Sequence, residues 1–368
     1  MLPKTSSKTD AQKGTVKRNL FIALGVAVCV ALVGYVLIAT HAAGPFASVT
    51  PTTGTITSPA TVINDTTAIG GKAVQFITPA TSGSRPDPFP ANMKPDATNT
   101  GLLNANILTP IKGDKTFDSS YNGQTISNKD FQGFIKVTGS NITFTNCIFH
   151  GGTATSNTAL LDTQVEDSSS PYTHHGGKSI IVEDSEFVPM NPSVLIDGIW
   201  GENLTLLRIN THGSVDGMKL SNNSTLRDSY SHDTQWYDHD PNTTDGTHND
   251  AVQILDGTNI QIIHNTLNPN DSRANSSVQI TQDFGTTGTV LLDSNWADWG
   301  GYTFNISQKR NSDLSDTLKT VSVKNNRFGR HSEYGPTKIG TGVTLAAFSG
   351  NVWDDNSQPI PQPDKNNN

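Results

Sequence analysis

Cysteine is nearly absent from this chain of 368 residues, which contains only Cys29 and Cys147. Cys29 lies in a long apolar run, so the rest of the chain cannot form an internal disulfide and must gain its rigidity from packing. Basic residues are also few, with 25 Lys and Arg against 33 Asp and Glu and a formal net charge of -8. An acidic surface argues against a nucleic-acid partner, because phosphates need a basic surface.

A six-residue phrase recurs between residues 139 and 353. It consists of an apolar residue, a spacer, Asn or Asp, a small residue, a spacer and a large apolar residue. Two looser copies begin at Leu206 and Leu226, and the clear copies are Phe144–Phe149, Val182–Phe187, Ile262–Leu267, Leu291–Trp296, Val323–Phe328 and Phe348–Trp353. A fixed corner joined by loops of variable length is typical of a solenoid of short strands.

Each position of the phrase has a physical reason. The third is Asn, Asp or Gly in six of eight copies, and these residues tolerate the left-handed backbone of a sharp bend. The fourth is small or polar and can form a hydrogen-bonded ladder between coils: Cys147, Ser185, Ser229, Asn265, Ser294, Asn326 and Asn351. The sixth position is a large apolar residue that faces the core, so Trp296 and Trp353 are predicted to be core residues. The phrase predicts an all-β parallel β-helix of roughly eight or more coils.

The N-terminal part predicts export. Residues 20–40 carry no charge and are long enough to span a bilayer. Lys13, Lys17 and Arg18 precede them in a basic tail, 1–19, which is expected to stay in the cytoplasm. The sequence therefore predicts a single-pass cell-membrane protein whose remainder is extracellular. The alternative is a cleaved signal peptide and a secreted product.

Composition divides the exported part. Residues 41–85 are rich in Thr, Pro, Ser and Gly and are expected to form a linker, in which 61–76 predict two short strands around Gly70 and Gly71. The β-helix is predicted over 86–356, with 96–135 capping its first end. Residues 357–368 are expected to be disordered.

Four stretches resemble a group of secreted bacterial right-handed parallel β-helix proteins: Pro95–Leu102, Asp216–Lys219, His248–Gln253 and Phe348–Asp355. The resemblance covers about residues 86–356 and implies a right-handed, single-stranded β-helix of the pectate-lyase-like superfold. That superfold includes polysaccharide lyases, glycoside hydrolases, epimerases and adhesins, and we know of no established activity for this group. The expected partner is a polysaccharide or a cell-surface glycan, and a monomer is expected.

A second strand in each coil predicts a groove. Alternation places Lys219, Gln253, Gln279 and Asn305 on one outward stripe, with Asp216 and Asp250 at equivalent strand starts one coil apart. Amides can bind sugar hydroxyls and aromatic faces can stack on pyranose rings. The predicted substrate-binding residues are Gln253, Gln279, Asn305, Trp200 and Tyr237.

The loop before Asp250 is the densest polar cluster of the chain, and three interpretations of it stay open. Asp238, Asp240 and Asp245 could bind Ca²⁺. His248 or His232 could act as general acid or base beside Asp250 or Asp216. The loop could also be a solvated one whose Asp and Asn residues make turns.

The chemistry is equally open at this level. In a lyase, as the superfold implies, Lys219 would be the base and Ca²⁺ would bind the substrate carboxylate. In a hydrolase, Asp216 and Asp250 would be the carboxylate pair. In an adhesin or structural protein, the same groove would bind glycan without turnover.

Overall fold

The computed structural model describes residues 60–64, 72–76, 85–167, 170–241, 243–307, 318 and 320–366. The predicted basic tail and membrane segment lie outside these residues. No helix among the described residues is long and apolar enough to cross a membrane. The chain divides into two compact units, Met1–Pro79 and Ala80–Asn368. In the first, Ala60–Asn64 pairs antiparallel with Lys72–Phe76, which confirms the two strands predicted there.

The second unit is built from three parallel sheets, which the chain visits in the repeating order A, B, C. Sheet A contains Thr109–Lys112, Lys129–Gln132, Ile148–Phe149, Glu186–Phe187, Asn210–His212, Tyr230–His232, Thr266–Asn268, Trp296–Ala297, Arg327–Phe328 and Val352–Trp353. Sheet B contains Lys115–Phe117, Ile135–Val137, Thr158–Asp162, Ile196–Gly201, Met218–Leu220, Asp250–Ile254, Ser276–Ile280, Tyr302–Ile306, Gly335–Gly340 and Lys365–Asn366. Sheet C contains Thr125–Ser127, Thr143–Thr145, Ile180–Glu183, Leu204–Leu207, Thr225–Arg227, Ile260–Ile263, Val290–Asp293, Val321–Lys324 and Ala347–Ser349.

These sheets make the second unit a parallel β-helix. Each strand pairs in parallel with the strand of the same sheet one coil away, as in Ile180–Glu183 with Leu204–Leu207. The short 3-10 helix Ala105–Ile107 precedes the first strand of sheet A, and a second, Ser119–Tyr121, lies in the first coil between sheets B and C. An antiparallel hairpin of Glu166–Asp167 with Ser170–His174 is inserted between sheets B and C. The all-β solenoid predicted from the recurring phrase is therefore confirmed.

Alternation along each strand fills the core. In sheet C, Ile180 and Val182 are buried, whereas Ile181 and Glu183 face outward. Equivalent side chains then stack from coil to coil, as the parallel rings of Phe149 and Phe187 do with centroids 4.5 Å apart. Such stacking gives every coil the same interior and lets loops vary outside it.

The corner between sheets C and A has the predicted conformation. Its bend residues have positive φ, among them Asn146 at 50°, Asp184 at 47° and Asn325 at 54°. The next residue along forms an amide ladder with side-chain hydrogen bonds of 3.0 Å at each step: Asn265, Asn295, Asn326 and Asn351. The predicted polar ladder is confirmed.

One copy of the phrase is shifted by a residue. Ser294, predicted to be in the ladder, is the bend residue with φ 60°, and Asn295 takes the ladder position. Trp296 consequently aligns with Thr266 and Arg327 and faces outward, while Ala297 is buried. The prediction that Trp296 is a core residue is wrong, because a slip of one residue reverses the faces of a strand. Trp353 does pack against the core, as predicted.

The first end of the solenoid differs from the predicted cap. Residues 109–132 already contribute strands to all three sheets. The preceding residues 85–104, which we call the strap, instead contact the C–A corner. Arg85 donates to Asp184 and to the backbone carbonyl of Gly101, and the backbone N–H of Leu103 donates to Asn146 Oδ1. The strap adds hydrogen bonds along the bends rather than covering a coil.

The tail predicted to be disordered instead packs on the last coil as far as Asn366. Ile360 is buried and its backbone N–H donates to the carbonyl of Asn351. The N–H of Trp353 donates to Gln358, and Lys365–Asn366 pairs with sheet B. Low hydrophobicity misled the prediction, because a single buried Ile and backbone pairing suffice to hold this tail.

Candidate functional site

The outward face of sheet B carries a continuous column of side chains. Cross-strand register aligns Trp200, Lys219, Gln253, Gln279, Asn305 and Lys338. We call this set the Lys219 column. It contains the stripe that alternation predicts and extends it by one strand at each end.

A second column, of carboxylates, lies three positions before the Lys219 column in three consecutive coils, at Asp197, Asp216 and Asp250. The backbone N–H of Asp216 donates to Asp197 Oδ1 at 3.1 Å, and that of Asp250 donates to Asp216 Oδ1 at 2.7 Å. Ser276 Oγ then donates to Asp250 Oδ1 at 2.6 Å. Each carboxylate therefore fixes the start of the strand in the next coil.

Lys219 joins the two columns. Its Nζ lies 2.5 Å from Asp197 Oδ2 and 3.0 Å from Asp216 Oδ2. Trp200 Nε1 donates to the same Asp197 Oδ2 at 2.7 Å, and Lys219 Nζ lies 5.9 Å from the centroid of the Trp200 ring. One ammonium thus balances two carboxylates beside an indole ring.

The electrostatics of this cluster follow from burial. Burial raises the pKa of Asp216 to about 6, which Lys219 opposes and Asp197 reinforces. Burial and the neighbouring Asp216 also hold the pKa of Asp250 well above its ordinary value. Burial alone would lower the pKa of Lys219, but Asp197 and Asp216 raise it above its ordinary value. Lys219 therefore keeps its proton at neutral pH, which is unfavourable for a general base.

The Lys219 column opens into two adjoining clefts that share Asn157, Lys219 and Gln253. The larger has a volume of about 430 Å³, and its remaining lining is Gln164, Trp200, Leu220, Leu255, Asp256 and Phe284. The smaller has a volume of about 230 Å³, and its remaining lining is Val194, Leu195, Asp197, Val215, Asp216, Asp240, Thr243 and His248. We call the two clefts together the groove. It combines an aromatic wall with amides and carboxylates.

The structure brings several of the predicted catalytic residues together and separates others. Asp216, Lys219 and His248 line the groove. Asp250 has no exposed surface and binds Gln253 and Ser276 from beneath. His232 belongs to sheet A, where it binds Asp233 and Asn210.

The predicted substrate-binding residues divide in the same way. Trp200 and Gln253 line the groove. Gln279 is largely buried, and its Oε1 accepts from Asn275 Nδ2 at 3.1 Å. Asn305 continues the Lys219 column beyond both clefts. Tyr237 is tied by its backbone to Thr247 and does not line the groove.

The predicted Ca²⁺ ligands gain no support from the geometry. Asp238 and Asp245 are exposed, and Asp245 accepts from His248 at 3.1 Å. Asp240 alone of the three lines the groove. Across the described part of the chain, no group of three or more His, Cys, Asp or Glu side chains is placed to hold a metal ion. Ca²⁺ binding stays a prediction.

Many residues of the groove were not predicted as site residues, and Asp197, Asn157 and Phe284 are three of them. Asp197 carried a signal, because Asp197-Gly198 matches Asp216-Gly217 one coil later. Asn157 and Phe284 carried none, because both lie in loops outside the repeating phrase. Loop residues have no fixed register from which their neighbours could be predicted.

Comparison with known proteins does not assign the chain to a family. No protein-family model matches the chain, and no curated protein matches it. Two trypsin-treated variants of QnrB1, a plasmid-mediated fluoroquinolone resistance protein, are 12% and 14% identical, with TM-scores of 0.27 and 0.25. Each match covers 67% of this chain, with 92% and 91% of QnrB1.

A surface adhesin of Streptococcus pneumoniae, PfbA, is 11% identical with a TM-score of 0.26, over 67% of this chain and 74% of the adhesin. Likeness at this level carries no argument about function. The three sheets described above are what make this chain a parallel β-helix solenoid.

Proposed function

We propose that the groove on sheet B binds an extended, uncharged glycan chain. The observation that carries the proposal is the Lys219 column opening into two joined clefts between Trp200 and His248. Trp200 offers a face for a pyranose ring. Gln253 and Asn157 offer amides that can both donate to and accept from hydroxyls.

The charges favour an uncharged chain over a uronate. Lys219, the cation of the groove, is already bound to Asp197 and Asp216. Asp240 and Asp256 add further acidic side chains to the lining. A uronate carboxylate would meet net negative charge and would have to compete for an ammonium that is already paired. The Ca²⁺-assisted lyase, with Lys219 as base, is therefore the weaker candidate.

Glycoside hydrolysis is the second candidate, and the pKa of Asp216 favours it. A carboxyl whose pKa is raised to about 6 can hold a proton for a leaving group. Asp197 then replaces Asp250 as its partner, because Asp250 is fully buried. Asp197 Oδ2 and Asp216 Oδ2 both contact Lys219 Nζ, at 2.5 and 3.0 Å. The two carboxyl oxygens are therefore closer together than the carboxyl separation of about 6.5–9.5 Å that inverting enzymes need to place a water.

The proposal keeps the setting predicted from the sequence. The segment 20–40 would anchor the protein in the membrane, or direct its secretion, and would leave the groove outside the cell. A right-handed coil of the pectate-lyase-like type and a monomeric state belong to the same proposal. In that setting the protein acts as a glycan-binding surface protein.

Isothermal titration of the full-length protein tests this function. The panel is neutral oligosaccharides of glucose, xylose and N-acetylglucosamine, set against oligogalacturonate, and reducing ends are followed in parallel. We expect binding to a neutral series, weaker binding to oligogalacturonate and no new reducing ends. New reducing ends lost in Asp216→Asn would favour the hydrolase, and preference for oligogalacturonate would contradict the charge argument.

A further inference from the structure

Four large hydrophobic side chains are conspicuously exposed among the described residues: Ile107, Met190, Phe284 and Tyr334. Phe284 is 53% exposed and lines the groove. Tyr334 is 64% exposed and immediately precedes a strand of sheet B, Gly335–Gly340. Two of the four therefore lie on the side of the molecule that carries the Lys219 column.

Tyr334 belongs to an aromatic patch with Tyr302 and Lys338. The ring centroids of Tyr334 and Tyr302 lie 5.5 Å apart, and Lys338 Nζ lies 5.8 Å from the centroid of the Tyr302 ring. The backbone N–H of Tyr334 donates to the carbonyl of Gly301 at 2.8 Å. That bond fixes the backbone from which the exposed ring projects.

The patch lies at the far end of the Lys219 column. Lys338 aligns with Asn305, which aligns with Gln279 and then Gln253. Trp200 and Lys338 are separated by five strand steps, which amount to roughly 24 Å at the usual strand spacing. Among the described residues Lys338 forms no ion pair, in contrast to Lys219, and its Nζ lies over the Tyr302 ring.

We propose that Tyr302, Tyr334 and Lys338 form a distal subsite for the same glycan chain. This inference rests on the proposed function and specifies its ligand as a polymer long enough to reach from Trp200 to Tyr334. The chain follows the axis of the solenoid. Its near end stacks on Trp200, and its far end lies on the tyrosines, with Lys338 donating to hydroxyls. A short oligosaccharide occupies only the groove.

Chain length is the variable that tests the subsite. Cello-, xylo- and N-acetylchito-oligosaccharides, each as disaccharide and hexasaccharide, are titrated into the full-length protein and into Tyr334→Ala. For the series that binds, we expect Tyr334→Ala to weaken hexasaccharide binding by about three- to ten-fold, because one aromatic contact is lost. Disaccharide affinity is expected to stay unchanged. Met190→Ala, which removes a side chain 50% exposed elsewhere, is the matched control and is expected to change neither.

The outcomes separate the subsite from the groove itself. If the unmodified protein binds disaccharide and hexasaccharide equally, or Tyr334→Ala weakens both alike, the distal subsite is wrong while the groove stands. If no oligosaccharide of any series binds, the proposed function fails and the subsite fails with it. A length dependence that Tyr334→Ala leaves intact would also overturn the subsite, because the extra contacts would lie elsewhere.

Discussion

The C–A corner and the outward face of sheet B are both rows of polar side chains, but they differ in how those side chains are hydrogen-bonded and charged. In the corner, Asn295 donates to Asn326 Oδ1 and to the carbonyl of Ile262 and accepts from Asn265. On sheet B, Asp216 and Asp250 are buried carboxyls with raised pKa values, and only Asp216 contacts Lys219. The corner amides satisfy one another, whereas burial opposes the ionisation of the sheet B carboxyls.

That difference indicates which row stabilises the fold and which row is a candidate functional site. A fully paired amide ladder follows from stacking identical corners, and each amide satisfies its neighbours. Carboxyls held against their preferred ionisation are characteristic of functional sites. The groove opens over the second row, beside Asp197 and Asp216. The two rows should therefore differ in their contribution to stability and in its dependence on pH.

The largest effect is expected in the corner, at Arg208. Its side chain is 5% exposed and makes two hydrogen bonds of 2.9 Å to Asp184 and one of 3.1 Å to Glu183. Arg208→Met leaves Asp184 buried with less compensation, and we expect a loss of about 3–5 kcal/mol in unfolding free energy. Urea denaturation measures it. Arg273→Met, which breaks an exposed pair with Asp271, is the control and is expected to change nothing measurable.

The next effect is expected in the ladder. Asn295→Ala removes the acceptor that the backbone N–H and the side-chain amide of Asn265 share, and it removes the amide donor to the carbonyl of Ile262. We expect a loss of about 2–4 kcal/mol in unfolding free energy. Gln253→Ala, which removes a half-buried amide of the groove, is expected to cost less than about 1 kcal/mol by the same principle. Equal losses for the two variants in urea denaturation would mean that the two rows do not differ.

A smaller effect, dependent on pH, is expected in the groove. The folded pKa of Asp216, about 6, lies above the ordinary 3.8. Folded protein therefore holds a proton that unfolded protein loses, so this group favours folding below pH 4 and loses that contribution as pH rises through 6. Relative to the unmodified protein, Asp216→Asn should gain roughly 2–3 kcal/mol between pH 4 and pH 7. Parallel stability curves over that range would rule out the raised pKa.

The sequence predicts the corner better than the groove, for physical reasons. Left-handed bends and a stacked polar ladder are local requirements, so Asn146 and Asn326 can be recognised from their immediate neighbours. The shift at Trp296 arises because Asp293, Ser294 and Asn295 fit the bend and ladder positions in two registers, and only the neighbouring coils select one. The register of this copy of the phrase therefore depends on contacts between residues that are distant in sequence.

The groove depends on such long-range relations throughout. Alternation finds the Lys219 column, but the pairing of Lys219 with Asp197 joins residues 22 positions apart. Their contact follows only after the coils are aligned. His232 and His248 are close in sequence, yet the first lies on sheet A and the second beside sheet B. Composition of a loop therefore could not show which of its side chains meet.

The most direct measurement of the central claim is isothermal titration of neutral hexasaccharides into two tryptophan variants. Trp200 lines the groove on sheet B, whereas Trp296 faces a separate cavity beside the strap. We predict that Trp200→Ala weakens binding by about ten-fold or more, that Trp200→Phe retains most of it, and that Trp296→Ala leaves it unchanged. Unchanged binding in Trp200→Ala, or an equal loss in Trp296→Ala, would contradict a glycan site on sheet B.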